Sequence, residues 1–211
     1  MTEHSLTQFM TIMVVHLLAV ASPGPDFAVV VKQSITHGRT TALWTSLGVG
    51  TGILLHVLYS LLGIGVIVSQ SLLAFTVMKF LGAAYLILIG WKALRTKPAG
   101  AVASVKSQAA RPSAGRAYWM GFLTNGFNPK ATLFFLSLFT VVIAADTPLM
   151  VQAAYGMYMA FATALWFCLI SFLFSSDRVR RQFSRIGHWF ERMMGAALLG
   201  LGLKLLATAP K

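Results

Sequence analysis

Ser22-Pro23-Gly24-Pro25-Asp26 interrupts one apolar stretch of this chain, and Asn125-Gly126-Phe127-Asn128-Pro129-Lys130 interrupts another. Proline removes a backbone donor and clashes with the preceding turn, so a helix running through either stretch must unwind or kink there. Each interruption also carries a charge: an acid in the first, a base in the second. In hydrocarbon, freed backbone groups and charges are tolerated only where they line a polar cavity or meet other protein. Matched interruptions in two halves of a chain are the sequence pointer to a transporter binding site.

The surrounding composition sets the medium. Of 211 residues, 57% are hydrophobic and 10% charged, with a mean hydropathy of +0.74; a soluble domain is about a quarter charged. A spanning helix needs about 20 mostly apolar residues. Apolar runs near 7–31, 41–68, 72–92, 117–145, 149–174 and 189–208 therefore predict an all-α polytopic membrane protein with six transmembrane helices. Ala19-Val20-Ala21 resembles a signal-peptidase site, but residues 1–8 contain no Lys or Arg, so the first run is read as a retained span.

The net charge of +12 does not point to nucleic acid, because the basic residues fall in alternate loops. Lys32 and Arg39 follow the first span. Lys92, Arg95, Lys97, Lys106, Arg111 and Arg116 follow the third; Arg178, Arg180, Arg181, Arg185 and Arg192 follow the fifth. Thirteen of the seventeen basic residues thus lie on one side, which the positive-inside rule makes cytoplasmic, with both termini periplasmic. Residues 96–116, rich in Pro, Gly, Ala and Ser, read as a cytoplasmic linker between two three-helix repeats, 1–95 and 117–211. Three is odd, so equivalent halves must be inverted. Lys79-Phe80-Leu81-Gly82-Ala83-Ala84 aligns weakly with Arg192-Met193-Met194-Gly195-Ala196-Ala197, in keeping with such a repeat.

Asp26 and Lys130 are the leading candidates for chemistry. Asp26 can cap the helix restarting at Phe27, and an ammonium at mid-depth such as Lys130 needs an anion or loses its proton. The two either pair with each other or hold the ends of a zwitterion. Ser22, Asn125 and Asn128, with Thr124, add neutral donors and acceptors; Pro23, Gly24, Pro25, Gly126 and Pro129 shape the breaks as hinges. His16 and His56 lie within spans and, with Asp26, are candidates for proton coupling. Gly48-Val49-Gly50-Thr51-Gly52 reads as a close-packing helix surface, not a phosphate loop. Dispersed histidines, five acids and the lone Cys168 give no metal cluster, no catalytic pair and no redox motif, so neither cofactor nor enzymatic activity is expected.

These residues resemble the LysE/RhtB family of bacterial amino-acid exporters. Ala21–Phe27 is similar to the family's first-span motif, with Gly38-Arg39 fitting the following loop. Lys79–Leu86 with Gly90 resembles its third-span motif. Gly121–Asn125 with Asn128-Pro129-Lys130-Ala131 resembles its fourth. The wording looks closest to the homoserine/threonine exporters, above all the threonine type. The resemblance implies efflux of neutral, basic or related amino acids across the inner membrane, driven by the proton-motive force. With the paired breaks, the chain reads as an exporter of small amino acids by proton antiport, in contact with lipid, with alternating access from rocking of the inverted halves. Small-residue surfaces permit a homodimer. Rival readings are an exporter of other metabolites or cations and a non-transporting membrane scaffold.

Overall fold

A computed structural model describes residues 3–70, 72–96, 110–144 and 146–207. Those residues form eight α-helices, and no strand occurs among them. Helices α1 (Glu3–Ala21) and α2 (Pro25–Thr36) are the two arms of the first broken segment, bent by 54°. Gly24 is the extended N-cap of α2 and Pro25 its first residue, where a missing N–H costs nothing. Gly38, at φ +84°, turns the chain into α3 (Arg39–Gln70) in a conformation that a side chain would resist. Helix α4 (Leu72–Leu94) follows.

The central segment read as a linker lies largely outside the described residues. Helix α5 (Ala114–Gly126) begins inside its last three positions, where Ser113 caps by accepting from the Arg116 N–H at 3.3 Å. The second break separates α5 from α6 (Pro129–Ser137), which passes into a π-helical turn at Leu138–Val142. Helices α7 (Leu149–Leu173) and α8 (Asp177–Ala207) complete the chain. The start of α8 differs from the sequence reading: Arg178 to Arg192 are helical, not a loop. Arginines depress the local hydropathy, but Val179, Phe183, Ile186 and Phe190 recur at helical spacing. Phe183 buries against Phe174 (4.9 Å between ring centroids) and Phe27 (5.5 Å).

Among the described residues, α3 and α7 are each long and apolar enough to cross a membrane, and the bent α1–α2 pair makes a third candidate. Met157, Phe161, Leu165 and Leu169 form an exposed apolar stripe along α7, while Thr163 and Ser171 on the same helix are buried. Apolar outside and polar inside is the pattern of a helix in hydrocarbon.

Glycines set how the helices pack. A Cβ on Gly48 would lie 2.0 Å from the Tyr118 carbonyl oxygen, and one on Gly121 2.0 Å from that of Thr45, so α3 and α5 touch backbone to backbone. Gly52 meets Asn125 further along, so the two helices run in the same direction. Gly50 against Ala164, and Val57 against Gly156, pack α3 antiparallel to α7. Gly90 against Gly195, and Ala83 against Gly202, do the same for α4 and α8. Without these side chains the helices approach closely and gain dispersion contacts, the association force available where lipid competes for apolar surface.

Two apolar clusters sit at different depths. One joins Ile12, Val15, Phe134, Phe135, Leu138, Phe139, Tyr155 and Met159; the other joins Phe27, Val30, Val49, Phe167, Ile170 and Phe174. The helix breaks lie between them.

Gly48→Ala forces the α3–α5 backbones apart and should cost at least about 1–3 kcal/mol. Gly115→Ala meets open space and should stay within about 0.5 kcal/mol of wild type. Thermal unfolding of the purified protein in detergent compares them; equal melting temperatures would contradict the packing described.

Candidate functional site

Each break is completed by residues of the other. Asn125, at the end of α5, and Asn128, the N-cap of α6, both donate from Nδ2 to Asp26 Oδ2 at 2.9 Å. In the opposite direction, Lys130 Nζ reaches back across Gly24 and donates to the Ser22 carbonyl at 2.5 Å. Asp26 is therefore not a helix cap, as its place after Pro25 suggests. Gly24 holds that position, and the carboxylate lies in the first turn of α2 with one oxygen turned to the second break.

Helix electrostatics account for both placements. An N-terminus carries partial positive charge, so Asp26 has the favourable sign for α2. Lys130 has the wrong sign for the start of α6. Its long stem instead delivers the ammonium to the carbonyl end of α1, where the sign is right. Asn128 satisfies the α6 start by accepting from the Lys130 N–H at 3.0 Å, while Pro129 needs no partner there.

Behind this brace stands His56, fully buried. Its Nε2 donates to the Asn125 carbonyl at 2.9 Å, an oxygen that also accepts from the Asn128 N–H at 2.8 Å. That bond puts the proton on Nε2, so Nδ1 is the acceptor for the Tyr59 hydroxyl at 2.7 Å. The ring stacks on Phe135 at 5.6 Å, and the residue supports the second break from behind.

A cavity of about 40 Å³ opens between the breaks, lined by Ser22, Gly24, Asp26, Asn125, Asn128 and Lys130. It has room for about three water molecules. His16, Phe134, Phe135, Thr163, Phe167 and Ile53 complete its walls. Two acceptor oxygens on lining residues, Asp26 Oδ1 and Asn125 Oδ1, are buried without a hydrogen-bond partner. Buried polar atoms are seldom left in that state.

The structure thus brings together Ser22, Asp26, Asn125, Asn128 and Lys130, residues about a hundred positions apart. Ser22 supplies its backbone carbonyl to the brace. Pro25 and Pro129 each occupy the first turn of a restarted helix. Gly126 ends α5 beside Leu55. His16 joins the cavity wall and His56 does not. Thr124 turns away, its hydroxyl bonded to the Met120 carbonyl of its own helix at 2.7 Å. Sequence reasoning missed Thr163 and the Phe134-Phe135 pair. A lone threonine within the apolar run of α7 was the available signal for the first.

Residues 17–209 match the model of the LysE type translocator family. The chain belongs to that family. It is 30% identical to a threonine efflux protein of Salmonella typhi over 210 residues, 96% of this chain and 99% of the relative. It is equally similar to a threonine efflux protein of Escherichia coli K12 over 206 residues, 96% and 99% of the two chains. A homoserine/homoserine lactone efflux protein of Salmonella typhimurium is 35% identical over 131 residues, 62% of each chain. No solved structure matches. As a LysE type translocator the chain is a membrane-embedded transport protein and not an enzyme.

Asn128→Ala removes both the α6 cap and a donor to Asp26, and should destabilise this translocator by about 2–4 kcal/mol. Thr124→Ala, on the far face, should change stability by less than about 0.5 kcal/mol. Melting curves in one detergent test the pair, and a Thr124 variant as unstable as the Asn128 variant would contradict the brace.

Proposed function

We propose that this chain exports small amino acids of the threonine/homoserine type across the bacterial inner membrane by proton antiport. One observation carries the reading. An acid and a base from the two helix breaks border one small cavity, and the acid's own Oδ1 and the neighbouring Asn125 Oδ1 are buried without hydrogen-bond partners. A substrate ammonium supplies the missing donors, binding Asp26 Oδ1 and Asn125 Oδ1 at the α2 end. Its carboxylate takes the Lys130 ammonium in place of the Ser22 carbonyl, with Asn128 alongside. The names of the relatives favour hydroxylated substrates.

Antiport then follows from shared use of one carboxylate. Asp26 holds either a proton or the substrate ammonium, so a proton arriving from the periplasmic side releases substrate there. Loss of that proton to the cytoplasm restores the site. His16 and His56 flank this carboxylate's surroundings as further candidates for carrying the proton. The present cavity is smaller than an amino acid, so loading requires the walls to part, and Pro23, Gly24, Pro25, Gly126 and Pro129 supply the hinges.

The architecture behind this mechanism is six spans as two inverted repeats, residues 1–95 and 117–211, joined by a cytoplasmic linker. In support, each break lies in the first segment of its half, and α3 with α7, and α4 with α8, run antiparallel. Basic residues gather at one end of the bundle: Arg111 donates to Thr41 at 2.8 Å, Arg39 stands over Phe172 at 4.8 Å, and Arg192 donates to the Thr96 carbonyl at 3.2 Å. That end is the cytoplasmic one by the positive-inside rule, leaving both termini in the periplasm.

Proteoliposomes loaded with labelled amino acids test the reading. Wild type should release threonine faster with an inwardly directed proton gradient, Lys130→Met should lose at least about 100-fold of that rate, and Asp26→Asn should abolish the gradient's effect. Release of no amino acid, or normal release by Lys130→Met, would overturn it. For topology, a C-terminal alkaline phosphatase fusion should be active and a C-terminal green fluorescent protein fusion dark in intact cells; the reverse result would invert the orientation.

A further inference from the structure

The charged pair at the breaks can recognise only what all amino acids share. Ammonium and carboxylate are the same in threonine, valine and leucine, so discrimination must come from the remaining walls of the cavity. Most of those walls are apolar: Ile53, Phe134, Phe135 and Phe167. An apolar pocket alone rejects a close isostere weakly, by about a hundredfold at best.

One polar group stands out there. His16 lies on α1 about a turn and a half before Ser22, roughly 9 Å of helical rise from the break. It is 1% exposed and lines the cavity. Its Nε2 is bonded to the Thr163 hydroxyl of α7 at 3.0 Å, and its ring is flanked by Phe134 and Tyr158 at 6.2 and 6.4 Å. Those contacts fix the imidazole plane. The other nitrogen, Nδ1, is buried and has no partner. Because a hydroxyl both donates and accepts, Thr163 can stabilise either tautomer, which leaves Nδ1 able to accept from a ligand or donate to it.

We infer that His16, oriented by Thr163, is the subsite that reads the substrate side chain and selects amino acids bearing a hydroxyl. The inference rests on the proposed amino-acid export. His16 Nδ1 would take the hydroxyl of the bound amino acid, while the methyl or methylene groups lie against Phe134 and Phe167. A substrate lacking the hydroxyl would leave that nitrogen buried and unpaired, the situation in which a site rejects an isostere strongly. His16 is the contacting group; Thr163 is a positioning residue.

Threonine and valine differ by one hydroxyl in place of a methyl, so their ratio of transport efficiency is the measurement. In proteoliposomes, wild type should prefer threonine by about a hundredfold or more. Thr163→Val, which keeps the shape and frees His16, should lower that ratio about tenfold, the worth of one hydrogen bond. His16→Leu should bring the two substrates within about threefold of each other, whereas His16→Gln, which keeps a donor and an acceptor, should retain part of the preference. Monodisperse elution in detergent confirms that each variant folds, and if His16→Leu does not, wild type and His16→Gln still decide the question. A histidine acting only as a proton carrier would alter the response to the gradient for both substrates alike and leave the ratio intact; that outcome overturns the inference. So does a wild type that transports both equally. A wild type that transports neither, nor any other amino acid, defeats the export reading itself.

Discussion

A broken helix in an apolar medium leaves carbonyl and amide groups that cannot turn to water, and the whole arrangement answers that constraint. The exposed carbonyl at the end of α1 is met by Lys130, the bare start of α6 by Asn128, and the Asp26 carboxylate by two amides from the far break. Each interruption draws part of what it needs from the other. The two must therefore lie side by side, and the helices that carry them are fixed in depth relative to each other. His56 extends the same logic outward, since α3 must stand close enough to α5 to reach the Asn125 carbonyl, and the glycine contacts allow that approach.

The surroundings invert the habit of a soluble protein. His16, Thr45, Ser46, His56, Asn125 and Thr163 are buried, while leucine, methionine and phenylalanine cover the outside. Polar groups near the basic end are bonded between helices as well: Ser34 donates to the Ser171 carbonyl at 2.8 Å, and Ser46 meets the Ser171 hydroxyl at 2.9 Å. At the opposite end, Gln8 of α1 donates to the Val142 carbonyl at 3.2 Å, where the π-helical turn ends. The apolar clusters lie between these ties and the cavity, so the polar centre is screened on either side.

Features written in local chemistry are visible in the sequence. Proline, glycine and a charge within an apolar run announce a break wherever the run is placed, and three glycines at alternate positions announce a close helix contact. Features that depend on rotational phase are not. Thr124 and Asn125 are adjacent in the chain, yet one hydroxyl folds back on its own helix while the neighbouring amide crosses to Asp26. Asp26 invites assignment as a cap until Gly24 is seen in that position. Thr163 gains meaning only from His16, 147 positions away. The basic start of α8 was hidden for another reason: average hydropathy obscures a period that the apolar residues keep.

The glycine contacts also impose an order in time. Gly48, Gly50 and Gly52 of α3 find their closest neighbours in α5 and α7, and Gly90 of α4 finds its own in α8. None of those partners exists when α3 leaves the ribosome. At ordinary elongation rates, roughly ten seconds of synthesis separate Gly50 from Ala164. Helices α3 and α4 must wait with these glycine faces unmatched by their protein partners, and their close packing becomes a late event. Packing is thus completed only as the last helices arrive.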